Sequence, residues 1–487
     1  MNRLQAIVER RRERVAREGP ALGAALPPRR QVPFVPFLAG QSHAGPAGPL
    51  ICEIKRRSPS RGDIAPGLDA AAQAGRYASA GVRYLSVLTE EDHFGGSLAD
   101  LREVKERFPH LAVLRKDFLL DEADLEVSAR AGADAVLLLA ALHDGPALLR
   151  LCRRAQELGL AALVEVHDRS EVGRAREARP ALTGVNSRDL ASFRVDPLVP
   201  LALRPAIDWE TTLVYESGVR GPEGVLLARS GGFEAVLVGE AAVRNPQAVE
   251  GLLAALDSPL AARGFWVQMA ERLAARRHGG RPLVKICGIT RAADARLAAG
   301  LGADLLGFVF APSPRRAEPA LLRELRDLKV LKVGVVTEAE GTAQARELLE
   351  HGLLDALQLH GEEPPETCLE AGFAYFKAMR LREAADVSRA AEYGCPRLLA
   401  DAWAPEARGG TGRRVPEELV DRLAAGMPLW LAGGLGPDNI REVVQRWHPE
   451  LVDASSRLEA SPGVKDRAAL ERFFAEIEAE TETGGSA

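Results

Sequence analysis

Acidic and basic side chains end short apolar runs in the N-terminal half of the sequence. The first run, 50–54, is followed by Lys55 and then by Ser-Pro-Ser, a pattern typical of a buried strand. Because side chains alternate along a strand, Glu53 and Lys55 share one face. A carboxylate and an amine at a strand exit are costly unless they are paired or used, so both are candidates for acid–base chemistry. An ordinary ion pair is the alternative interpretation.

Further polar groups end later runs of the same half: Lys116 in LRKDF, Glu165 in LVEVH, and Asn186 and Arg188 in GVNSRDL. Groups of both signs that converge on one rim are expensive as scaffolding, which favours a catalytic pocket. The turns Ser217-Gly218 and Gly239-Glu240, with the hydroxyl of Ser58, offer donors to a phosphate. A plain left-handed loop is the alternative for each glycine turn taken alone.

The C-terminal half has its own candidates. Lys285 and Cys287 share a face of one run, and a thiol at a strand exit near a cation can shift toward thiolate. An inert buried cysteine is the usual alternative, and it is the one favoured for Cys52 and Cys152.

Other polar residues of this half end further runs. Asp401 ends RLLAD, and Gln358 shares a strand face with His360, which taken alone is more often structural. Arg315, in Ser-Pro-Arg, is a cation that can bind a carboxylate or phosphate with two hydrogen bonds.

The elements that must position these groups follow a strand–helix rhythm that occurs twice. The first eight strand-like runs are 50–54, 84–88, 111–116, 135–140, 161–166, 183–186, 212–216 and 235–239. The second eight are 283–287, 304–310, 330–336, 356–359, 374–378, 397–401, 428–432 and 451–454. Amphipathic helical stretches separate most of them, so the sequence predicts an α/β fold of two tandem (β/α)8 TIM barrels. The predicted domains are 1–256 and 282–487, joined by a helical linker at 257–281.

Bulk properties narrow the function classes. The 487 residues carry a net charge of -5, which predicts neither nucleic-acid nor membrane binding. The chain shows no apolar signal core, and its five cysteines are scattered, which predicts a cytoplasmic protein without disulfides or a zinc site. Residues 1–20 predict an N-terminal helical extension. Its arginines at 10, 11, 12 and 14 alternate with glutamates and are expected to form a solvated face.

Two similar turns suggest equivalent phosphate sites in the two halves. ESGVRGPE at 216–223 and AGGLGPD at 432–438 both follow a predicted seventh strand and place proline at a helix start.

The motifs together resemble two enzyme families. ICEIKRRSPSRG, LTEEDHFGGS, LRKDF, LVEVH, GVNSRDL and ESGV are similar to indole-3-glycerol phosphate synthase. KICGIT, FAPSPR, LQLHG, LADAWAPEARGGTG, LAGGL and PGVKD are similar to phosphoribosylanthranilate isomerase. The resemblance implies a bifunctional tryptophan-biosynthesis enzyme whose substrates are small phosphorylated anthranilate sugars, with no metal and no organic cofactor. A monomer is expected.

For the synthase half, the resemblance implies that Lys116 activates the carbonyl as an acid. Glu165 is the carboxylate that transfers a proton during dehydration, with Glu53 and Lys55 beside it, and Asn186 is a positioning residue. Which lysine performs which protonation stays open. The implied substrate-binding residues are Ser58, Phe94, Phe118, Arg188, Glu216, Ser217, Gly218, Gly239 and Glu240.

For the isomerase half, the resemblance implies that Asp401 protonates the furanose oxygen and that Cys287 removes the C2 proton. The implied substrate-binding residues are Arg315 for the anthranilate carboxylate, Gln358, His360, and Gly433, Gly434, Ser455 and Ser456 for the phosphate.

Two positions depart from the family patterns, and several other functions stay open. Arg457 stands where the isomerase pattern often has glycine, and Ser187 stands where asparagine is common. The alternatives are a single active barrel, a metabolite-binding protein without turnover, and another phosphosugar barrel such as the histidine-pathway aminoaldose isomerase. That last family uses an aspartate pair at strand exits, and Cys287 at the first base position points away from it.

Overall fold

The computed structural model describes residues 3–38, 49–58, 62–245, 247–258, 264–276, 280–369, 371–403 and 413–483. The chain divides into two compact units, Met1–Leu260 and Ala261–Ala487. Each unit contains one closed barrel of eight parallel strands, which confirms the predicted pair of (β/α)8 barrels. No helix in the described ranges combines the length and apolar character that a bilayer crossing requires.

The strands of the first barrel form because their residues are apolar and mostly buried on both faces. They are β1 Leu50–Ile54, β2 Tyr84–Leu88, β3 Ala112–Lys116, β4 Ala135–Leu139, β5 Ala161–Val166, β6 Leu182–Asn186, β7 Thr212–Glu216 and β8 Ala235–Val238. Each strand pairs with the next, and β1 closes the ring, with Ile51 opposite both Leu237 of β8 and Tyr84 of β2. The parallel order brings all strand exits to one rim.

The helices of this unit begin at residues that cap their free N–H groups. Asp69, Ser97, Asp121, Asp144 and Asp168 each accept a hydrogen bond from the first turn of the helix that follows. The helices are Arg3–Glu18, Ala70–Ser79, Leu98–Arg107, Glu122–Ala131, Gly145–Glu157, Arg169–Ala178, Val199–Leu203, Pro222–Ser230, Glu240–Arg244 and Ala248–Asp257. A short 3-10 turn covers Arg204–Ala206, and Arg57–Ser58 pairs with Gly62–Asp63.

The N-terminal helix does not present its arginines as the solvated face that was predicted. Arg11 is only 4% exposed and donates to Asp117, at 2.9 Å, and to Asp124, at 2.6 Å. Arg14 lies 2.6 Å from Glu91. That prediction is wrong for these two residues, because the barrel supplies carboxylates that accept their hydrogen bonds, buried ones at Arg11 and a partly exposed one at Arg14.

The second barrel repeats this architecture. Its strands are β9 Leu283–Cys287, β10 Leu305–Val309, β11 Leu331–Val336, β12 Ala356–Leu359, β13 Tyr375–Leu381, β14 Leu398–Ala402, β15 Trp430–Leu431 and β16 Leu451–Ala454. Its helices are Phe265–Arg276, Ala292–Gly300, Pro319–Glu324, Ala339–Glu350, Pro365–Leu369, Ala384–Arg389, Glu417–Gly426, Ile440–Trp447 and Arg467–Thr483. Short 3-10 turns cover Ala390–Glu392 and Ser456–Leu458, and Glu459–Ser461 pairs with Val464–Lys465.

The helix Phe265–Arg276 lies within the stretch predicted as a linker. Its aromatic residues pack on the strands of the second barrel: the Phe265 ring stacks 6.2 Å from Phe376, and the Trp266 ring lies 5.9 Å from Trp430. Since these four rings are all buried, the helix belongs to the core of the second unit.

Candidate active sites

At the rim of the first barrel, Lys116 lies between two glutamates. Its ammonium at the end of β3 is 2.9 Å from Glu165 Oε2 on β5 and 2.6 Å from Glu216 Oε2 on β7. Gly184 on β6 makes room for this arrangement, because an added Cβ would lie 2.0 Å from Glu216 Oε1. The structure therefore brings together three predicted site residues that are widely separated in the chain.

Glu165 has partners on its other oxygen as well. Asn186 Nδ2 donates to Glu165 Oε1 at 3.0 Å. His167 Nε2 also lies 3.0 Å from Oε1, although it is not aligned as a hydrogen-bond donor in this conformation. His167 appears in the LVEVH motif, but the sequence reasoning did not select it as a site residue. A histidine two residues after a candidate acid, on the same strand face, was the available signal.

Burial and mutual charge separate the pKa values of the two glutamates. Burial raises the pKa of both, but Lys116 and His167 outweigh it at Glu165 and hold its pKa well below the usual range. At Glu216, burial and the neighbouring charge of Glu165 raise the pKa to about 8. Burial disfavours the Lys116 cation, yet Glu165, Glu216 and Glu53 outweigh it and raise its pKa. The two glutamates that share the Lys116 ammonium thus have pKa values that are pushed far apart, which is the electrostatic pattern of an acid–base pair.

Glu53 and Lys55 form a second acid–base pair at the same rim. Lys55 Nζ is 2.6 Å from Glu53 Oε1, and both side chains are largely buried. An added Cβ at Gly239, after β8, would lie 2.5 Å from Glu53 Oε1 and 2.7 Å from Lys55 Nζ. Glycine is therefore needed at this position for the pair to approach the β8 turn.

The predicted phosphate turn of the first barrel has an unusual backbone. Ser217 and Gly218 both adopt positive φ, +66° and +79°. Left-handed backbone costs a residue with a Cβ about 1 kcal/mol, and such residues cluster at ligand sites. The predicted Gly239-Glu240 turn leads into the short helix Glu240–Arg244, and Ser58 is buried on the β1 side, while residues 59–61 lie outside the described part of the chain.

Two predicted aromatic residues lie next to each other at this site. The Phe94 and Phe118 rings are 6.2 Å apart in a tilted arrangement. Arg188 donates its backbone N–H to Asn186 Oδ1 at 2.9 Å, so the loop after β6 is tied to the residue that holds Glu165. Ser187, the departure from the family pattern, is buried beside Gly218.

At the rim of the second barrel, Lys285 and Cys287 crowd the same space. An added Cβ on Gly307 would lie 2.7 Å from Cys287 Sγ and 3.0 Å from Lys285 Nζ. Lys285 also binds Asp453 Oδ2 at 2.7 Å. The sequence reasoning missed Asp453; its position as a charged residue inside the last apolar run was the signal.

The thiol of Cys287 is not shifted toward thiolate in this arrangement. Burial raises its pKa and outweighs the nearby Lys285 cation. The expected shift is therefore wrong, because desolvation of the thiol penalises its charged form more than Lys285 favours it. Burial likewise raises the pKa of Cys52 to about 12 and that of Cys152 to about 11.

Asp401 on β14 faces His360. His360 Nε2 lies 3.2 Å from Asp401 Oδ2, and His360 Nδ1 is 2.9 Å from the Gln358 amide nitrogen. Among the described groups, Gln358 Oε1, His360 Nε2 and Asp453 Oδ1 are buried without an aligned hydrogen-bond partner. Buried polar atoms without a partner are costly, and a polar ligand would satisfy them.

Arg315 is held by a carboxylate of the chain itself. Its Nε and Nη2 both donate to Glu459, at 3.0 and 2.8 Å, and Lys465 Nζ also binds Glu459 at 3.0 Å. The Arg315 guanidinium is therefore held in a fixed orientation by Glu459.

The predicted phosphate turn of the second barrel also has left-handed backbone. Gly433 and Gly434 adopt φ of +90° and +62°, and Ser455 Oγ donates to the Cys287 carbonyl at 3.0 Å. Ser456 begins the 3-10 turn Ser456–Leu458. Arg457 is half-exposed and binds Asp438 at 2.7 Å. The RGGTG stretch after Asp401 lies outside the described residues.

Within the described ranges, no three His, Cys, Asp or Glu residues are placed to hold a metal ion. Both barrels instead place acid–base groups beside left-handed turns at their strand exits, where barrel enzymes bind phosphorylated substrates. The fold and sites thus define a class of tandem (β/α)8 barrels with acid–base groups at both rims.

Comparison with known proteins makes this class specific. Residues 4–252 match the family model of indole-3-glycerol phosphate synthase, and residues 284–476 match that of N-(5'-phosphoribosyl)anthranilate isomerase. The chain belongs to the indole-3-glycerol phosphate synthase family and carries the isomerase domain in tandem behind it.

Individual relatives agree with both matches. The multifunctional tryptophan biosynthesis protein of Schizosaccharomyces pombe is 30% identical over 91% of this chain and 61% of its own length. The Phycomyces blakesleeanus protein of the same name is 32% identical over 87% of the chain and 62% of its own length, so the chain spans about three fifths of these relatives. Indole-3-glycerol phosphate synthase 1 of Streptomyces coelicolor is 45% identical over 44% of the chain and 81% of its own length. A phosphoribosyl anthranilate isomerase structure from Thermus thermophilus is 38% identical, covering 40% of this chain and 98% of that one, with a TM-score of 0.37.

Proposed function

We propose that the protein catalyses two consecutive steps of tryptophan biosynthesis at two separate sites. The C-terminal barrel isomerises N-(5-phosphoribosyl)anthranilate to carboxyphenylamino-deoxyribulose phosphate. The N-terminal barrel then converts that product to indole-3-glycerol phosphate with loss of carbon dioxide and water. The observation that carries this proposal is that each barrel rim holds its own set of acid–base groups, within the residues that its own family model matches.

In the isomerase site, Asp401 is the proposed general acid and Cys287 the general base. Asp401 protonates the furanose oxygen, the ring opens, and Cys287 then removes the C2 proton, which gives the aminoketose. Only the thiolate can act as the base, and Lys285, held beside the thiol by Asp453, supplies the positive charge that favours it. Arg315, braced by Glu459, is the proposed receptor of the anthranilate carboxylate.

In the synthase site, Lys116 is the proposed acid at the substrate carbonyl. Its raised pKa keeps the ammonium charged, so it can polarise the carbonyl while the ring closes and carbon dioxide leaves. Glu165, kept ionised by its surroundings, accepts a proton during dehydration. Asn186 holds Glu165, while Ser217 and Gly218 form part of the phosphate turn. The Phe94 and Phe118 pair offers an apolar wall to the anthranilate ring.

A coupled assay tests the proposal directly. Purified full-length protein is supplied with phosphoribosylanthranilate, and formation of indole-glycerol phosphate is followed by its fluorescence. Cys287→Ala should abolish the first step while turnover of supplied aminoketose continues; Lys116→Ala should do the reverse. Cys152→Ala and Lys329→Ala are matched controls and should leave both rates unchanged.

Other results would redirect the assignment. Absence of turnover by the unsubstituted protein in either assay would leave one active barrel. Loss of both steps in a single variant would contradict independent sites. The cytoplasmic location and the monomeric state remain predictions, and size-exclusion chromatography with light scattering checks the second.

A further inference from the structure

His167 lies between two carboxylates directly behind the proposed synthase base. Its Nε2 is 3.0 Å from Glu165 Oε1, and its Nδ1 is 2.9 Å from Glu171 Oε2. The His167 side chain is 7% exposed, and those of Glu165 and Glu171 are 3% and 9% exposed. The ring is therefore enclosed, with an acid at each nitrogen.

The local sequence fixes this geometry. Asp168 caps the helix Arg169–Ala178 by accepting from the Glu171 backbone N–H at 2.8 Å. Glu171, in the first turn, reaches back and accepts from the His167 backbone N–H at 2.9 Å with the same oxygen that contacts the ring. Because the helix start holds Glu171 in place, the orientation of the imidazole is set from outside the catalytic cluster.

The charges around the ring favour its protonated form. Burial lowers the pKa of His167, but Glu165 and Glu171 outweigh it and raise the pKa to about 10. Asp189, in the loop after β6, is a further carboxylate near the ring, and the charge of His167 contributes to lowering its pKa. The surrounding cations are more remote: Arg174 lies 3.8 Å from Glu171, and Lys116 contacts the far oxygen of Glu165.

We propose that His167 is a positioning residue of the synthase site, an imidazolium that keeps Glu165 ionised and oriented while Lys116 changes its protonation state. The inference rests on the proposed function of this barrel. Glu165 Oε2 is neutralised by Lys116, which is itself the proposed acid. When Lys116 gives up its proton, that charge disappears, and the neutral Asn186 cannot replace it. His167 then remains as the cation beside Glu165, and it makes no contact with the substrate's reacting atoms in this role.

The test is the pH profile of kcat/KM for the synthase step, measured with supplied aminoketose. In His167→Gln the side chain stays polar and similar in length, but the charge is lost. The acid limb, which reports ionisation of Glu165, should move to higher pH by about one unit or more, because an adjacent opposite charge lowers a carboxyl pKa by that amount. KM at the optimum pH should change much less than kcat. His110→Gln, an exposed histidine of the same barrel, is the control.

Glu171→Gln is the second variant, and it decides the matter if His167→Gln does not fold. It leaves the imidazole but removes the carboxylate that keeps it charged, so the acid limb should move in the same direction by a smaller amount. An acid limb that stays in place in the folded variants, with only a uniform loss of rate, would overturn the proposal and leave His167 a packing residue. Lack of synthase turnover in the unsubstituted protein would instead refute the proposed function.

Discussion

The two barrel rims, for which we propose proton transfer on a phosphorylated sugar, differ in their electrostatics. In the first barrel the acid–base groups neutralise one another: Lys116 contacts both Glu165 and Glu216, and Lys55 contacts Glu53. The second barrel also pairs its charges, Lys285 with Asp453 and Arg315 with Glu459. Each rim includes buried polar atoms without an aligned partner among the described groups: those of His167, Ser187 and Glu216 in the first, and of Gln358, His360 and Asp453 in the second. The difference lies in how the proposed acid and base are connected. The first rim joins Lys116 and Glu165 in one ion pair, whereas the second keeps Cys287 beside Lys285 and Asp401 beside His360, in separate groups.

The largest expected effect tests whether the rims are independent. Glu165→Gln removes the proposed proton acceptor and should lower synthase kcat by about 10²–10⁴-fold, the usual value of a general base. Asp401→Asn should lower isomerase kcat by a similar factor. Each variant should keep the other activity, measured with its own substrate in the same preparation. A fall in both activities from one substitution would mean that the barrels are coupled.

The next effect concerns stability of the first barrel. Arg11→Met leaves Asp117 and Asp124 buried with one fewer cation, and breaking such a buried pair costs about 3–5 kcal/mol. Urea unfolding followed by synthase activity measures this loss. Arg12→Met, on the exposed side of the helix, should have almost no effect. Equal destabilisation by both variants would show that Arg11 is not anchored in solution.

The pH dependence of that loss has a definite sign. Burial raises the Asp117 pKa, but Arg11 and Arg115 outweigh it, so the folded-state pKa is lowered. A carboxyl group whose pKa is lower in the folded state stabilises the protein fully at pH values above its ordinary pKa of about 4. That contribution is lost as the pH falls through the lowered pKa of the folded state. The stability difference between the unsubstituted protein and Arg11→Met should therefore shrink below about pH 4. A constant difference down to about pH 2 would contradict this.

The buried position of Arg11 also shows what the sequence could and could not predict. Each barrel strand lies within three residues of its predicted bounds, because buried parallel strands are continuous apolar runs. The helix Arg169–Ala178 has a polar sequence that includes Gly173, so its own apolar period is weak and only the strand–helix rhythm indicates it. Arg11 was placed in solvent because the pattern of one helix carries no information about carboxylates more than 100 residues away.

The candidate sites divide in the same way. Residues at strand exits were predicted by position, since closure of a barrel brings those exits to one rim. The contacts between these residues were not predicted. Lys285 and Asp453 lie on the first and last strands of the second barrel, 168 residues apart, and only ring closure makes them neighbours. The direction of the Cys287 shift was also mispredicted, because burial is a property of the finished fold.

A smaller effect should appear at the brace of Arg315. Glu459→Gln keeps a hydrogen-bonding side chain but removes the charge that Arg315 and Lys465 share. KM for phosphoribosylanthranilate should rise about 10-fold, because loss of a charge-assisted hydrogen bond weakens binding by about 1.5 kcal/mol. The kcat should stay within about twofold of its value in the unsubstituted protein. Glu318→Gln, exposed in the same barrel, is the control. A loss confined to kcat would instead place Glu459 in the chemistry.

The smallest expected effect comes from Arg457→Gly, which restores the residue common in the isomerase family. Arg457 and its partner Asp438 are 35% and 60% exposed, and such exposed pairs contribute about 0–1 kcal/mol. Arg457 Nη1 also lies 3.4 Å from the Gly434 carbonyl, at the phosphate turn. If the arginine only braces that turn, KM should change by less than about fivefold and respond little to added salt. A larger rise in KM, which salt reduces, would show that Arg457 binds the phosphate directly and that the second rim, like the first, relies on charge.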